Sequence, residues 1–192
     1  NRARIQGVYV LMDAHSLAPL ALLDGVALTT LRTPAVSAAA ALFLAPALVN
    51  HLVVFGSGPQ ACAHIDALLT IREISRITVV GRDHDRAAAL AARVSSQGVD
   101  SGVGSAAAVA DAQLIVCATT ASTPLFDGEL VAENSCTIAV GSHNPTDREF
   151  DSALARRAQV VVEDLATARR EAGDVVIPIA EGVIDPGLLV PL

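Results

Sequence analysis

The chain has 192 residues, enough for one domain of ordinary size plus part of a second. Its formal charge of -7 argues against a basic face that binds nucleic acid, and all 13 basic residues are arginine, which excludes a Schiff-base lysine within the chain. No Cys-x-x-Cys or His-x-x-x-His pair indicates a metal, and three scattered cysteines in apolar segments are typical of buried thiols in a reducing cytoplasm.

The first elements in chain order are two short strands, at residues 7–12 and 19–23. Thr33-Pro34 then has the pattern of an N-cap followed by proline at the first helical position, so a helix is expected from there to near Pro46. No signal-peptide pattern opens the chain, and a strand so close to its first residue is expected if the chain starts in mid-fold.

The stretch from Ala35 to Phe55 is apolar enough to raise the question of a membrane span. Ser37, Pro46 and Asn50 interrupt it, whereas a span needs about 20 unbroken apolar residues. The pattern therefore favours a helix and a strand of a cytoplasmic protein, with no membrane contact.

Strands and helices alternate along the rest of the chain. The expected strands are 51–55, 76–80, 99–103, 113–118, 135–140 and 159–163. The expected helices are 59–71, 83–96, 105–110, 150–157 and 164–172. Val- and Ile-rich strands alternating with helices predict an α/β fold with a doubly wound, mostly parallel, Rossmann-type sheet.

A glycine-rich turn, Gly56-Ser-Gly-Pro-Gln-Ala61, lies between the expected strand 51–55 and the expected helix 59–71. Gly56 and Gly58 leave the backbone open to a pyrophosphate, and the helix start offers free N–H groups and a partial positive charge. Gly-x-Gly-x-x-Ala alone can be a tight turn, but its place between a strand and a helix favours dinucleotide binding.

The end of the next strand indicates which dinucleotide fits. An acidic residue about 20 residues beyond the glycines accepts from a ribose 2′-OH, whereas an arginine suits a 2′-phosphate. Strand 76–80 ends in Gly81-Arg82-Asp83, so NADP(H) is favoured over NAD(H). Alternatively, Arg82 is a solvated turn residue and Asp83 caps the next helix or reaches a ribose.

Four further residues are candidates because of their positions next to strands or helices. Thr119 follows one strand and Val140-Gly141 ends another, and open α/β sheets bind ligands outside the carboxyl ends of their strands. Arg32 stands beside the expected helix start, where the dipole disfavours a cation unless it faces an anion. Ordinary loop chemistry and a solvent-facing arginine are the alternatives.

Several stretches together resemble the ornithine cyclodeaminase/mu-crystallin family. They are Leu22-Leu-Asp-Gly25, Leu28-Thr-Thr-Leu-Arg-Thr-Pro-Ala-Val-Ser37, Gly56-Ser-Gly-Pro-Gln-Ala61, Ala118-Thr-Thr, Val140-Gly-Ser, Arg148-Glu-Phe-Asp151 and Glu171-Ala-Gly-Asp174. The resemblance implies cofactor roles for Gly56, Gly58, Gln60 and Arg82, and nicotinamide-side contacts near Thr119 and Val140-Gly141. It also implies that Arg32 contacts a substrate carboxylate or cofactor phosphate, and that the protein is a homodimer.

The resemblance also implies a domain division. Residues 1–28 are expected to be a remnant of the substrate and dimerisation domain, residues 29–180 the Rossmann-type NAD(P)-binding domain with its connecting helix, and residues 181–192 the start of the return. The family's catalytic lysine belongs to the N-terminal substrate domain, upstream of residue 1 by this interpretation.

The family's chemistry is hydride transfer between a nicotinamide and a C–N bond. Cyclodeaminases carry an aspartate acid/base in the loop after the Val-Gly strand, where this chain has His143. Histidine also moves protons near neutral pH, so His143 and Arg32 are the catalytic candidates. We therefore expect reduction of a small imino acid of the pyrroline-2-carboxylate or ketimine type. Ornithine cyclodeamination, a non-catalytic NADP(H)-binding protein like mu-crystallin, and a Rossmann-type regulatory module are the alternatives.

Overall fold

The computed structural model describes residues 6–192. Residues 1–5, from which the sequence analysis expected a chain that starts in mid-fold, lie outside the described part. The strands in that range are β1 (Val8–Met12), β2 (Pro19–Asp24), β3 (Val49–Phe55), β4 (Ile74–Val80), β5 (Asp100–Val103), β6 (Leu114–Cys117), β7 (Cys136–Ala139), β8 (Val161–Val162) and β9 (Val190–Pro191). The α-helices are α1 (Gly25–Leu44), α2 (Pro59–Leu69), α3 (His84–Ser95), α4 (Ser152–Arg157), α5 (Leu165–Glu171) and α6 (Gly173–Ala180).

Five strands form one parallel sheet in the order β5-β4-β3-β6-β7. The chain builds β3, β4 and β5 outward in one direction and then returns to place β6 on the other side of β3. The prediction of a doubly wound, parallel α/β sheet is confirmed. In such sheets this change of direction beside the first strand leaves a crevice at the carboxyl ends, where ligands bind.

Strand β3 is the centre of the core because both of its faces are buried. Leu52 and Val54 contribute to the apolar cluster that α1, α2 and α3 cover. Val53 and Phe55 contribute to the cluster on the opposite face, which the segments around Val109, Phe126 and Leu154 cover. An uninterrupted apolar run, rather than an alternating one, is the pattern that a strand covered on both faces requires.

Helix α1 begins at Gly25, so the prediction of a helix start at Thr33-Pro34 is wrong. The Asp24 carboxylate accepts hydrogen bonds from two backbone N–H groups of the first turn, at 2.8 and 3.3 Å, and this cap starts the helix earlier. Pro34 lies inside the helix, where its missing N–H removes one hydrogen bond. Arg32 is therefore a mid-helix residue, and the dipole argument for it no longer applies.

Helix α1 and the β1–β2 hairpin carry most of the exposed apolar surface. The hairpin is antiparallel, and its apolar side chains are exposed on both faces, with Val8 70% and Leu22 73% accessible. Helix α1 is long and apolar enough to cross a membrane by length and composition, a test that core helices also pass. Its buried residues, which include Ser37, Ala38 and Ala41, are small, and α1 packs closely against α2.

The C-terminal part differs from the expectation in two ways. Strand β8 pairs with β9 in a separate two-stranded sheet instead of extending the main sheet. Helix α6 was not expected, because Gly173 and Pro178 both disfavour a helix by local propensity. The short helix expected at 105–110 is confirmed as a 3-10 helix, Ala106–Asp111. The division into domains at residues 28 and 29 stays a prediction.

Candidate functional site

The glycine turn lies where β3 ends, between the ends of β4 and β6. Gly56 has φ +111°, and a Cβ at this position would be 2.5 Å from the carbonyl oxygen of Ala118. Its N–H donates to the Val80 carbonyl at 2.8 Å, which fixes the turn to the end of β4. Only glycine fits this conformation and this contact.

The start of α2 has the features that a phosphate site requires. Gly58 is the N-cap, and no side chain of the described residues caps the helix. A Cβ at Gly58 would meet nothing within 4 Å, so the backbone there is open. Pro59 has no N–H, and the N–H groups of Gln60 and Ala61 belong to the first turn, which lacks intrahelical acceptors. These groups fit the pyrophosphate of a dinucleotide.

The Gln60 side chain connects this helix start to α1. Its Nε2 donates to the Thr29 carbonyl at 3.1 Å. Its Oε1 is buried and has no hydrogen-bond partner among the described residues. A buried acceptor of this kind calls for a donor, and the 2′- and 3′-hydroxyls of a nucleotide are donors.

At the end of β4, the structure separates the roles of two neighbouring residues. The Asp83 carboxylate accepts from the Arg86 N–H at 3.1 Å and caps α3, so the interpretation of Asp83 as an N-cap is confirmed. Arg82 is exposed beside Gly81, two residues beyond the last residue of β4. Its guanidinium is therefore available at the strand end where an adenosine ribose lies in dinucleotide folds.

A buried carboxylate joins the ends of β6 and β7. Glu149 is 0% exposed, and its Oε1 accepts from the Thr119 N–H at 2.8 Å and the Thr119 hydroxyl at 2.6 Å. Its Oε2 accepts from the Gly141 N–H at 2.6 Å. Two of the predicted nicotinamide-side residues are therefore held together by a residue to which sequence reasoning gave no role.

A second buried carboxylate supports the first. Asp174 accepts from the backbone N–H groups of Glu149 at 2.7 Å and Phe150 at 3.2 Å. Burial raises the pKa of Asp174 to about 6, and the two backbone N–H donors oppose this shift only in part. Its own N–H donates to the Ser142 hydroxyl at 3.2 Å. The loop after β7 is thus fixed at both ends.

His143 lies on this loop and is exposed. Its Nδ1 is 2.8 Å from the Gly141 carbonyl oxygen, which only accepts, so Nδ1 carries the hydrogen. Nε2 of a neutral His143 is consequently free of that proton and points away from the carbonyl bond. This arrangement leaves Nε2 as an acceptor that can take up a proton.

Arg32 lies in a different part of the site. A crevice of about 1230 Å³ separates α1 from β7 and the C-terminal segment, and Arg32, Val140, Ser142, Glu163 and Asp174 are among its lining residues. Arg32 forms an ion pair with Glu163, and about half of each side chain is exposed. An exposed ion pair is weak, so a substrate carboxylate can compete with Glu163 for the guanidinium.

The structure therefore forms two groups from the predicted residues. Gly56, Gly58, Gln60, Ala61 and Arg82 surround the turn and the end of β4, while Thr119, Val140, Gly141 and His143 lie at the ends of β6 and β7. Sequence reasoning missed Glu149 and Asp174 because their partners are distant in sequence, 30 residues in the case of Thr119. Among the described residues, no group of three His, Cys, Asp or Glu side chains is placed to hold a metal ion.

The contact at Gly56 predicts a stability difference between two glycine substitutions. Gly56→Ala and Gly98→Ala both place alanine at positive φ, which costs about 1–2 kcal/mol. At Gly98 a Cβ would meet nothing within 4 Å, whereas at Gly56 it collides with backbone. Urea unfolding is expected to show a clearly larger loss of stability for Gly56→Ala. Equal losses would contradict the close approach of the turn to β6.

The buried Asp174 predicts a pH-dependent stability. Because its pKa in the folded protein is about 6 rather than 3.8, the folded state holds the proton more tightly than the unfolded chain. Rising pH between about 4 and 6 should therefore lower the stability by on the order of 3 kcal/mol. In Asp174→Asn this loss is absent, so the variant should gain on the wild type as pH rises.

Urea unfolding of both proteins at pH 4, 5, 6 and 7 measures this difference, in which contributions from other titrating groups cancel. Asp127→Asn is the control, since Asp127 is exposed and also accepts from one backbone N–H. A difference between Asp174→Asn and the wild type that is constant from pH 4 to pH 7 would show that Asp174 is not buried in this way.

Comparison with known proteins finds relatives that are named as reductases. The Delta(1)-pyrroline-2-carboxylate reductase of Colwellia psychrerythraea is 39% identical over 167 residues, which are 85% of this chain and 53% of that protein. The ketimine reductase mu-crystallin of Rattus norvegicus is 33% identical over 173 residues, 90% of this chain and 55% of that protein.

A solved structure has the same fold. That of Thermococcus litoralis Delta(1)-pyrroline-2-carboxylate reductase in complex with NADH and L-proline superimposes with a TM-score of 0.90 at 32% identity. The alignment covers 94% of this chain and 57% of that one. The chain thus spans little more than half the length of these relatives. The family model described as ornithine cyclodeaminase/mu-crystallin matches residues 2–185. The chain therefore belongs to the ornithine cyclodeaminase/mu-crystallin family.

Proposed function

We propose that this chain is the dinucleotide-binding part of an NAD(P)H-dependent reductase that acts on a cyclic imino acid of the pyrroline-2-carboxylate or ketimine type. The observation that carries the proposal is the uncapped glycine turn at the change of strand direction, in a chain whose relatives are named as reductases of such imines. The turn supplies the cofactor site, and the relatives indicate the substrate class.

The cofactor contacts are assigned from the geometry at the turn. The backbone at Gly56 and Gly58 and the N–H groups of Gln60 and Ala61 bind the pyrophosphate. Arg82 at the end of β4 pairs with a 2′-phosphate, which makes NADP(H) the preferred cofactor over NAD(H). The Thermococcus litoralis relative was solved with NADH, so the preference rests on Arg82 of this chain alone.

The substrate contacts are assigned to the other group of residues. Reduction of a C=N bond adds a hydride to carbon and a proton to nitrogen, and a bound reduced nicotinamide supplies the hydride. Thr119, Val140 and Gly141 line the nicotinamide side. His143, in its doubly protonated form, donates the proton to the imine nitrogen from Nε2 and keeps the hydrogen on Nδ1. Arg32 binds the carboxylate of the imino acid in place of Glu163.

The wider setting remains a prediction. A homodimer, a cytoplasmic location and the absence of membrane and nucleic-acid partners are all proposed on the grounds given for the sequence. The exposed apolar side chains of β1, β2 and α1 require a covering surface for a stable fold, because an isolated two-stranded hairpin is marginal in water. The residues of the substrate domain are proposed to provide it.

An assay of the complete protein tests the proposal. Delta(1)-pyrroline-2-carboxylate should oxidise NADPH or NADH and yield proline, while ornithine should yield neither proline nor ammonia. Arg32→Ala should raise the KM for the imine by about tenfold or more, because a charge-assisted contact is lost. Arg93→Ala is the matched control, since Arg93 also forms an exposed ion pair, with Asp66, away from the crevice.

Two results would overturn the proposal in different ways. Turnover of ornithine to proline would make the protein a cyclodeaminase despite the histidine at position 143. Tight cofactor binding with turnover of neither compound would make it a non-catalytic binding protein like mu-crystallin.

The role of Arg82 predicts a selective loss of affinity. Arg82→Ala should weaken NADPH binding by about tenfold or more and leave NADH binding unchanged, because only the 2′-phosphate pairs with the guanidinium. Arg86→Ala, in the first turn of α3 and also exposed, should change neither affinity. Fluorescence titration of reduced cofactor measures both constants. Equal weakening of the two cofactors by Arg82→Ala would refute the assignment.

A further inference from the structure

The carboxylate of Glu149 is a single group that connects two loops of the proposed site. It receives three hydrogen bonds on two oxygens, from the N–H and hydroxyl of Thr119 and from the N–H of Gly141. The side chain is completely buried. A buried carboxylate is stable only when donors surround it, and these three donors belong to the ends of β6 and β7.

The chemistry of this contact requires a carboxylate. Each oxygen faces at least one backbone N–H, so both oxygens must accept. A glutamine at this position accepts with one oxygen and presents an NH₂ group to the other N–H, which leaves two donors facing each other. Gly141 is equally constrained, because a Cβ there would lie 2.6 Å from the Glu149 Cδ.

The carboxylate fixes the directions of polar groups as well as the distance between the loops. The Thr119 hydroxyl donates to Glu149 and accepts from the Ala121 N–H at 3.1 Å, so its hydrogen is committed. The Gly141 peptide donates its N–H to Glu149, and the Gly141 carbonyl accepts from Nδ1 of His143. The orientation of the imidazole therefore depends on the position of Gly141, the residue whose N–H Glu149 holds.

The backbone of Glu149 is itself held in place by a second carboxylate. Asp174, at the start of α6, accepts from its backbone N–H at 2.7 Å. Gly173 allows α6 to approach the loop, since a Cβ there would lie 2.7 Å from the Asn144 carbonyl oxygen. The Glu149 side chain is thus directed to the two strand ends by its own backbone position.

We propose that Glu149 is a positioning residue that holds the Thr119 and Gly141 loops in the arrangement that receives the nicotinamide end of the cofactor. The inference rests on the proposed function. It predicts that loss of this carboxylate disturbs the nicotinamide half of the site and leaves the half formed by Gly56, Gly58 and Arg82 intact, because Glu149 contacts none of those residues.

Two ligands allow binding to the two halves of the site to be measured separately. NADPH contains the nicotinamide, and ADP-ribose 2′-phosphate has the same adenosine, pyrophosphate and second ribose without it. In the complete protein, Glu149→Gln should weaken NADPH by about tenfold or more and change the affinity for ADP-ribose 2′-phosphate less than about twofold. Isothermal titration measures both, because it needs no chromophore.

A matched control addresses general destabilisation. Asp151 also accepts two backbone N–H bonds, both at 2.9 Å, but its donors are Gly128 and Leu154 and not residues at the ends of β6 and β7. Asp151→Asn should lower the stability and leave both affinities unchanged. If Glu149→Gln does not fold, Thr119→Val removes the hydroxyl bonds to Glu149 and to the Ala121 N–H but keeps the bond from the Thr119 N–H to Glu149. It should weaken NADPH selectively to a smaller extent.

The outcomes for the two proposals are distinct. If Glu149→Gln lowers the affinities for NADPH and ADP-ribose 2′-phosphate equally, or lowers neither, the positioning role is overturned. Binding of both ligands to the wild type would still support the cofactor site in that case. A wild-type protein that binds neither ligand would overturn the proposed function and this inference together.

Discussion

The site depends on the burial of β3 on both faces. Because its side chains pack into apolar clusters above and below the sheet, this strand has to be central, with β4 on one side and β6 on the other. The turn that follows β3 is then confined between the ends of its two neighbours. Position 56 therefore requires glycine, because its backbone lies so close to Ala118 that a Cβ would collide with the Ala118 carbonyl oxygen.

The second group of site residues, at the ends of β6 and β7, is held together by buried carboxylates rather than by apolar packing. Glu149 and Asp174 are both buried, and burial of two carboxylates near each other costs free energy unless donors surround them. The donors are backbone N–H groups of the loops after β6 and β7 and of the segment that carries Glu149. Two carboxylates are thus buried, despite the free energy that this costs, at the place where the loops after β6 and β7 must keep a constant separation.

The predictable parts of the structure were those with local causes. The strand, turn and helix around Gly56 follow from a short apolar run, two glycines and helical spacing, all within about 20 residues. The predicted start of α1 is wrong because the sequence contains two local signals for a helix start. Pro34 indicates one start, but the helix begins after the Asp24 cap.

Features with distant causes were not predictable. The pairing of β8 with β9 joins Val161 to Val190, and no local pattern specifies such a partner. Glu149 was visible only as part of a family-like stretch, because its role depends on Thr119, 30 residues earlier. For Arg32 the family resemblance indicates a role, while the helix-dipole argument fails because the residue lies in mid-helix. Its place in the crevice beside Glu163 follows only from the fold.

The central claim is that one dinucleotide spans both groups of residues, from the end of β4 to the ends of β6 and β7. A crystal structure of the complete protein with NADPH tests this most directly. The account predicts the 2′-phosphate on Arg82, the pyrophosphate on the N–H groups that start α2, and the nicotinamide beside Thr119 and Gly141. A dinucleotide bound elsewhere, or one whose nicotinamide lies away from these two loops, would contradict it.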